Sequence, residues 1–198
     1  MNQKKQTKKT LLLLSGGLDS VALLYYLRAT GENVEALHFE YGNNHSRNER
    51  QFAVSHCKKT NTPLSVLHLP KMLGSKLTGG SGSWVVPGRN SIFLSHAVNF
   101  SEAKQIDFIA YGSNSDDAAD FPDCRIEWIA AFNQQITNSG LKCRVIAPFA
   151  ALTKKQLVYF TRKVDPTAPL VNSWSCYGDS FPPCGECPAC IKRVEALT

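Results

Sequence analysis

Apolar positions along the chain fall into short unbroken runs separated by stretches with helical spacing. Lys9–Leu14 predicts a buried strand, and Asp19–Ala29 predicts a helix that ends at Gly31. Asn33–Phe39 and Leu64–Leu69 read as further strands, with a polar-faced helix over Ser46–Thr60 between them. Downstream the pattern gives a helix over Ser91–Lys104, a strand over Ile106–Tyr111 and a helix over Arg125–Thr137. A short strand, Arg144–Ala147, and a helix over Thr153–Lys163 capped by Thr153 complete it. Strands that do not alternate with polar residues, each followed by a helix, indicate an α/β fold whose parallel sheet is covered on both faces. Ligands of such sheets bind beyond the carboxyl ends of the strands.

Two stretches break the rhythm. Gly74–Ser83 is rich in Gly and Ser with no apolar period, and reads either as a mobile flap or as a plain surface loop. From Asp165 onward, Pro166, Pro169, Pro182, Pro183 and Pro188 exclude long regular elements. That segment needs something besides a hydrophobic core to hold it.

Length and composition narrow the class. The 198 residues suit one domain, 1–198, with 165–198 as a C-terminal appendage to it. With 43% hydrophobic and 19% charged residues the chain reads as globular, and Leu11–Leu14 is far too short for a membrane span. The lysine-rich start lacks the apolar core of a signal peptide, so the expected location is the cytoplasm. A net charge of +6 suits anionic ligands such as nucleotides. Lys4, Lys5, Lys8 and Lys9 read as a solvated tail.

Four of the seven cysteines, Cys176, Cys184, Cys187 and Cys190, lie within fifteen residues. In a chain without an export signal this spacing reads as metal ligation before disulfides. A closed structural Zn2+ site is the preferred reading. An iron–sulfur cluster takes the same ligands, and a dithiol redox pair is a third choice. A helix over Ile191–Leu197 follows the last cysteine.

The candidate chemistry begins at Ser15-Gly16-Gly17-Leu18-Asp19-Ser20, between the first strand and its helix. Paired glycines let backbone N–H groups close on an anion, and the helix start adds unpaired N–H groups to the same place. Asp19 beside a phosphate implies a bridging Mg2+. A plain strand-to-helix turn capped by Asp19 or Ser20 is the alternative for the bare glycine pair. The full string, however, matches the SGGxDS signature of the PP-loop ATP pyrophosphatases, and it is neither a Walker A loop nor a Rossmann fingerprint. Leu14 through Ser20, together with Gly112, form the expected ATP-binding set.

Further motifs carry a closer resemblance: Val86-Pro87-Gly88-Arg89-Asn90, Phe121-Pro122-Asp123-Cys124-Arg125 with Glu127, Leu152-Thr153-Lys154, and Ser173-Trp174-Ser175-Cys176-Tyr177. Together with the four cysteines they resemble the 7-cyano-7-deazaguanine synthase family of PP-loop enzymes, in order and approximate spacing, from about Leu11 to Arg193. The resemblance implies a Rossmann-like PP-loop fold (adenine nucleotide alpha hydrolase-like). It also implies an ATP-dependent carbon–nitrogen ligase that converts 7-carboxy-7-deazaguanine and ammonia to the nitrile, a precursor of queuosine, archaeosine or deazapurine DNA modification. Two AMP transfers are implied, first to the carboxylate and then to the amide. Lys154 resembles the lysine that reaches the ATP phosphates, and Asp19, Lys154 and Arg89 form the implied catalytic set.

Chemistry suggests partners for the substrate. Arg89 or Arg125 can pair with its carboxylate, while Asp117, Asp123 or Glu127 can accept from a guanine-like edge. Trp174 or Phe121 can stack on the base, and Asn90 completes the substrate set. Arg125 and Glu127 can equally pair with each other, and Trp174 can equally be core. Cys124 reads as a pocket wall rather than a thioester nucleophile, because no His is near in sequence and ATP supplies the activation. His45 matches the YGQxH loop of the family, although Asn43 stands in the Gln position.

The rival readings are a PP-loop enzyme that joins a deazaguanine to another acceptor, and a tRNA sulfurtransferase. A zinc-knuckle nucleic-acid binder ranks last, since it leaves SGGLDS unexplained and the chain lacks a dense basic stripe. Nucleic acid is therefore not expected as a direct substrate, and the resemblance implies a homodimer.

Overall fold

The computed structural model describes residues 8–198, so Lys4 and Lys5 of the basic start lie outside the described residues. Five parallel strands form one sheet in the order β3-β2-β1-β4-β5: β1 (Lys9–Leu13), β2 (Asn33–Glu40), β3 (Leu64–His68), β4 (Phe108–Ala110) and β5 (Arg144–Ile146). The helices are α1 (Leu18–Ala29), α2 (Ser46–Thr60), α3 (Arg89–Lys104), α4 (Ser115–Asp120), α5 (Ile126–Asn138), α6 (Lys154–Val164) and α7 (Pro188–Leu197).

Alternate residues of β1 explain why its apolar run is continuous. Leu12 packs with α1, α6 and α7 on one face, whereas Leu11 packs with α3 and α5 on the other. Both leucines are fully buried, as a strand sandwiched between two helical layers requires. The two sides of the sheet are filled from opposite directions along the order, so the switch lies between β1 and β4. Such a switch opens a crevice beyond the carboxyl ends of the two strands.

Several expectations are corrected. β4 is shorter than Ile106–Tyr111, because Gln105 ends α3 in a left-handed conformation (φ 55°) and Ile106 N–H turns back to the Ser101 carbonyl. α7 begins at Pro188 rather than Ile191, and Cys187 is its N-cap. Proline at a first helical position gives up an N–H that has no helical partner anyway, so it starts this helix instead of forbidding it. Cys190 consequently sits in the first turn. α4 was not legible, being only six residues long with three aspartates.

The Gly/Ser stretch is fastened to the body. Ser75 Oγ accepts from Leu77 N at 3.1 Å to cap a short 3-10 turn, Lys76–Thr78. Leu77 is buried with Tyr41 and Val86, and its carbonyl accepts from Asn44 N at 2.8 Å. A single leucine was enough to anchor a segment with no apolar period.

Candidate active site

At the β1/β4 switch lies a cavity of about 520 Å³, a size suited to a nucleotide-scale ligand. Leu14, Ser15, Gly17, Leu18, Asp19 and Ser20 line it from the first strand–helix junction, and Gly112 lines it from beyond β4. Gly17 caps α1 without any side-chain hydrogen bond, so the first helical N–H groups remain available to an anion. This departs from the expected alternative of a cap by Asp19 or Ser20. Both serine hydroxyls knit the loop: Ser20 Oγ donates to the Gly17 carbonyl at 3.0 Å and lies 3.1 Å from Ser15 Oγ.

Gly16 and Gly112 each permit a close backbone approach. Gly16 lies behind the cavity wall with φ +93°, and a Cβ there would stand 2.4 Å from the Glu49 carbonyl oxygen. Gly16 therefore lets α2 approach the loop. Gly112 does the corresponding work for β4, since a Cβ would stand 3.1 Å from Ser20 N.

Lys154 Nζ lies 2.5 Å from Asp19 Oδ2 and 3.6 Å from Asp117 Oδ2. A capping box by Thr153 and Gln156 fixes the start of α6, and Asp116 accepts from Lys154 N at 2.7 Å. Asn114 caps α4 and donates to Asp117 at 2.8 Å. Burial pushes the Asp19 carboxyl up, Lys154 pulls it down, and Asp117 and Asp116 push it up again. Burial opposes the charge of Lys154, yet Asp19 and Asp117 hold it above the ordinary lysine value. Asp19 Oδ1 is buried without a hydrogen-bond partner. An unpartnered carboxylate oxygen among excess negative charge is a fitting ligand for a hard divalent cation.

Arg89 and Asn90, at the start of α3, line the cavity with Asp117 and Asp123. Arg89 donates to Tyr41 Oη at 3.2 Å. Burial works against its charge, but Tyr41, Glu49 and Asp123 hold it above the ordinary value. Cys124 is a wall: burial pushes its thiol up to about 12, where no thiolate forms near neutrality.

Two expected substrate contacts lie outside the cavity lining, and a third is packed into its wall. Arg125 and Glu127 are exposed outside the cavity lining, and Arg125 Nε donates to the Ala118 carbonyl at 3.0 Å. The 3-10 turn Pro122–Cys124 directs Asp123 inward and leaves the start of α5 facing out. Trp174 borders the cavity but is 1% exposed and packed against Phe52 and Phe181, so its indole is a wall and not a free stacking face. Phe121 does line the cavity.

Sequence reasoning missed Glu49, Trp84 and Tyr177. Trp84 and Tyr177 have ring centroids 4.8 Å apart at the cavity edge. Tyr177 belonged to the quoted WSCY string, whereas Glu49 and Trp84 carried no local signal.

The four cysteine sulfurs all lie within 4.8 Å of one another, with Cys176–Cys184 at 3.5 Å and Cys184–Cys190 at 3.9 Å. Backbone N–H groups of Gly178 and Cys184 point at Cys176 Sγ. Those of Glu186 and Cys187 bring the Cys184 thiol down to about 7. Four sulfurs at this spacing can hold one metal ion.

Residues 9–198 match the family model described as queuosine biosynthesis protein QueC. The chain belongs to this family. Curated relatives of the chain include a 7-cyano-7-deazaguanine synthase from Leptospira interrogans, 34% identical, covering 96% of this chain and 86% of that one. One from Persephonella marina is 33% identical over 98% of this chain and 93% of its own. Among solved structures, the U34-tRNA thiolase NcsA from Methanococcus maripaludis with its [4Fe-4S] cluster superposes at TM-score 0.58 and 19% identity, over 79% of this chain and 56% of that one. A 4-thiouridine synthetase–RNA complex with bound ATP superposes at TM-score 0.55 and 19% identity, over 96% of this chain and 53% of that one. The chain thus spans little more than half of these two structures, and they share its PP-loop fold. Among the described residues no helix is long and apolar enough to cross a membrane.

Proposed function

We propose that this QueC-family chain is an ATP-dependent ligase that turns 7-carboxy-7-deazaguanine and ammonia into 7-cyano-7-deazaguanine. The observation that carries the reading is the convergence of the SGGLDS loop, Lys154 and Arg89 on one cavity in a chain matched to the family over residues 9–198. A carboxylate resists attack by ammonia until one oxygen becomes a leaving group, and AMP transfer makes it one. In this reading the α1 start and Lys154 hold the ATP phosphates, and Asp19 Oδ1 and Asp117 hold Mg2+, which would spread the pyrophosphate charge. Arg89 holds the acid, Asp123 takes the base edge, and Phe121 stacks on it. Exclusion of water from the acyl-adenylate belongs to the same reading.

Zn2+ is the proposed metal of the cysteine cluster. A tetrahedron with bonds of about 2.3 Å sets its sulfurs ~3.8 Å apart, in keeping with the observed spacing. Cys124 is the single cysteine of the cavity lining, and its neutral thiol weighs against a sulfur relay and in favour of nitrogen chemistry. A homodimer in the cytoplasm belongs to the same reading.

The test is direct. Protein is mixed with ATP, Mg2+, ammonium chloride and 7-carboxy-7-deazaguanine, and mass spectrometry follows AMP and the nitrile. AMP release that depends on the acid, with nitrile formed, supports the reading. No acid-dependent AMP from metal-replete protein overturns it.

A further inference from the structure

Just beyond β4, three consecutive residues join two parts of the cavity. Gly112 lies against the phosphate loop, where a Cβ would stand 3.1 Å from Ser20 N and 3.2 Å from the Asp19 carbonyl carbon. Its neighbours hold the turn Pro122–Cys124. Tyr111 Oη donates to the Asp123 carbonyl at 2.9 Å, and Ser113 Oγ donates to the Cys124 carbonyl at 2.6 Å. All five residues line the cavity.

A turn whose carbonyls meet only water shifts at little cost. One pinned at two successive carbonyls by buried side chains does not. Ser113 is 1% exposed and Tyr111 6%, and both are tied down in turn. Tyr111 N–H donates to the Ile146 carbonyl of β5 at 3.2 Å, and Ser113 N–H to the Tyr111 carbonyl at 3.0 Å. Burial pushes the Tyr111 hydroxyl well above its ordinary value, so it keeps its proton and remains a donor. Within the turn, Cys124 N–H donates to the Phe121 carbonyl at 3.0 Å and Arg125 N–H to the Pro122 carbonyl at 3.2 Å, so the segment holds together as one piece. The turn also meets the start of α3, where Asn90 Nδ2 lies 4.0 Å from Cys124 Sγ.

We infer that Tyr111 and Ser113 are positioning residues: with Gly112 between them they form a strut that sets the distance from the SGGLDS loop to Asp123. The inference rests on the ligase reading above, in which the loop holds ATP and Asp123 takes the base edge of the acid. Each hydroxyl acts through the backbone of the turn, its hydrogen already given to a carbonyl. Transfer of AMP needs a carboxylate oxygen of the acid aligned with the α-phosphorus, and a misplacement of about 1 Å can cost on the order of a hundredfold in rate. ATP itself is held from the other end of the strut, so loss of either hydroxyl falls on use of the acid and not on nucleotide binding.

The experiment compares wild type with Tyr111→Phe and Ser113→Ala, each of which removes one hydroxyl. Thr161→Val is the control for plain loss of a buried hydrogen bond. Thr161 Oγ1 donates to the Leu157 carbonyl at 2.8 Å on α6, fully buried and outside the cavity lining. Nitrile formation is followed against acid concentration with saturating ATP and ammonium chloride, and calorimetry gives the affinity for a non-hydrolysable ATP analogue. The expected result is a kcat/KM for the acid lowered about fivefold or more in both cavity variants, with analogue affinity within about twofold of wild type. Thr161→Val is expected to melt earlier and to use the acid as wild type does. In an Asp123→Ala background, Tyr111→Phe should cost less than about twofold further, because it acts through the residue already removed. Should Tyr111→Phe fail to fold by thermal melt, Ser113→Ala carries the test in both backgrounds. Acid use within about twofold of wild type in the cavity variants overturns the proposal. A full penalty that persists without Asp123, or an equal loss of analogue binding, does so as well, since either marks a general loosening. Wild type with no acid-dependent AMP release would instead overturn the ligase reading.

Discussion

The backbone N–H of Trp174 donates to the carbonyl of Gly16 at 2.9 Å, so the segment that leads into the cysteine cluster is hydrogen-bonded to the phosphate loop itself. Cys176 follows two residues later and packs with Trp174 and Cys190. The cysteine cluster and the SGGLDS loop are therefore mechanically joined.

Removal of the metal should weaken nucleotide binding as well as the fold. A chelator, or Cys187→Ser, is expected to lower metal content and melting temperature together, because metal ligation supplies on the order of 10 kcal/mol to such segments. Calorimetry with a non-hydrolysable ATP analogue should show at least a tenfold loss of affinity in the chelated protein. Full metal occupancy in Cys187→Ser would show that the ligand assignment is wrong.

Asp19→Ala should abolish ATP cleavage while leaving the fold intact. Lys154 would lose its 2.5 Å partner but keep Asp117 at 3.6 Å, so the ammonium is not stranded. Circular dichroism reads the fold and AMP release reads the activity. An unaltered turnover rate would remove Asp19 from the chemistry.

Gly16→Ala should destabilise the chain and disable the loop. The new methyl group would meet the Glu49 carbonyl at 2.4 Å, and a φ of +93° strains any L-residue. Strain of this kind costs about 1–3 kcal/mol before the displacement of α2 is counted. Gly31→Ala, with φ +87° and open space around it, is the control, expected to carry the strain without loss of nucleotide binding.

Acid should loosen the same region through His56. Its Nε2 donates to the Asn172 carbonyl at 2.5 Å, and its Nδ1 lies 3.1 Å from Tyr25 Oη. Burial holds its pKa below the ordinary value of 6.5. The unfolded chain then binds the proton more readily, so this stabilisation is complete above about pH 6.5 and is lost as the pH falls below it. Melting temperature should drop between pH 7 and pH 5, and His56→Gln should flatten that slope. Equal slopes in both proteins would clear His56 of the role.

Modification offers a check on Cys124. Burial pushes its thiol up to about 12, so iodoacetamide at pH 8 should leave it unlabelled in the folded protein and label it after denaturation. Peptide mass mapping of the two samples distinguishes these states, and rapid native labelling would show an activated thiol.

How far the sequence reached depended on how local each signal was. Leu11 and Leu12 announced a doubly covered strand because each must face its own helical layer, and the four cysteines announced a metal because their spacing alone brings the sulfurs together. SGGLDS likewise acts within one turn, so its place at a strand–helix junction was readable without the rest of the fold. Where Arg125, Glu127 and Trp174 would point could not be read from the sequence, because side-chain direction is settled by packing: the first two are exposed outside the cavity lining, and Phe52 and Phe181 pack on the third. Glu49 was invisible for the same reason, as its place in the cavity lining depends on where α2 packs. The chain thus determined by itself its alternation of strands and helices, its SGGLDS turn and its cluster of four cysteines, each the product of near neighbours. Which side chains share the cavity was decided by tertiary structure, because contacts across more than a hundred residues depend on how the layers close and not on any one segment.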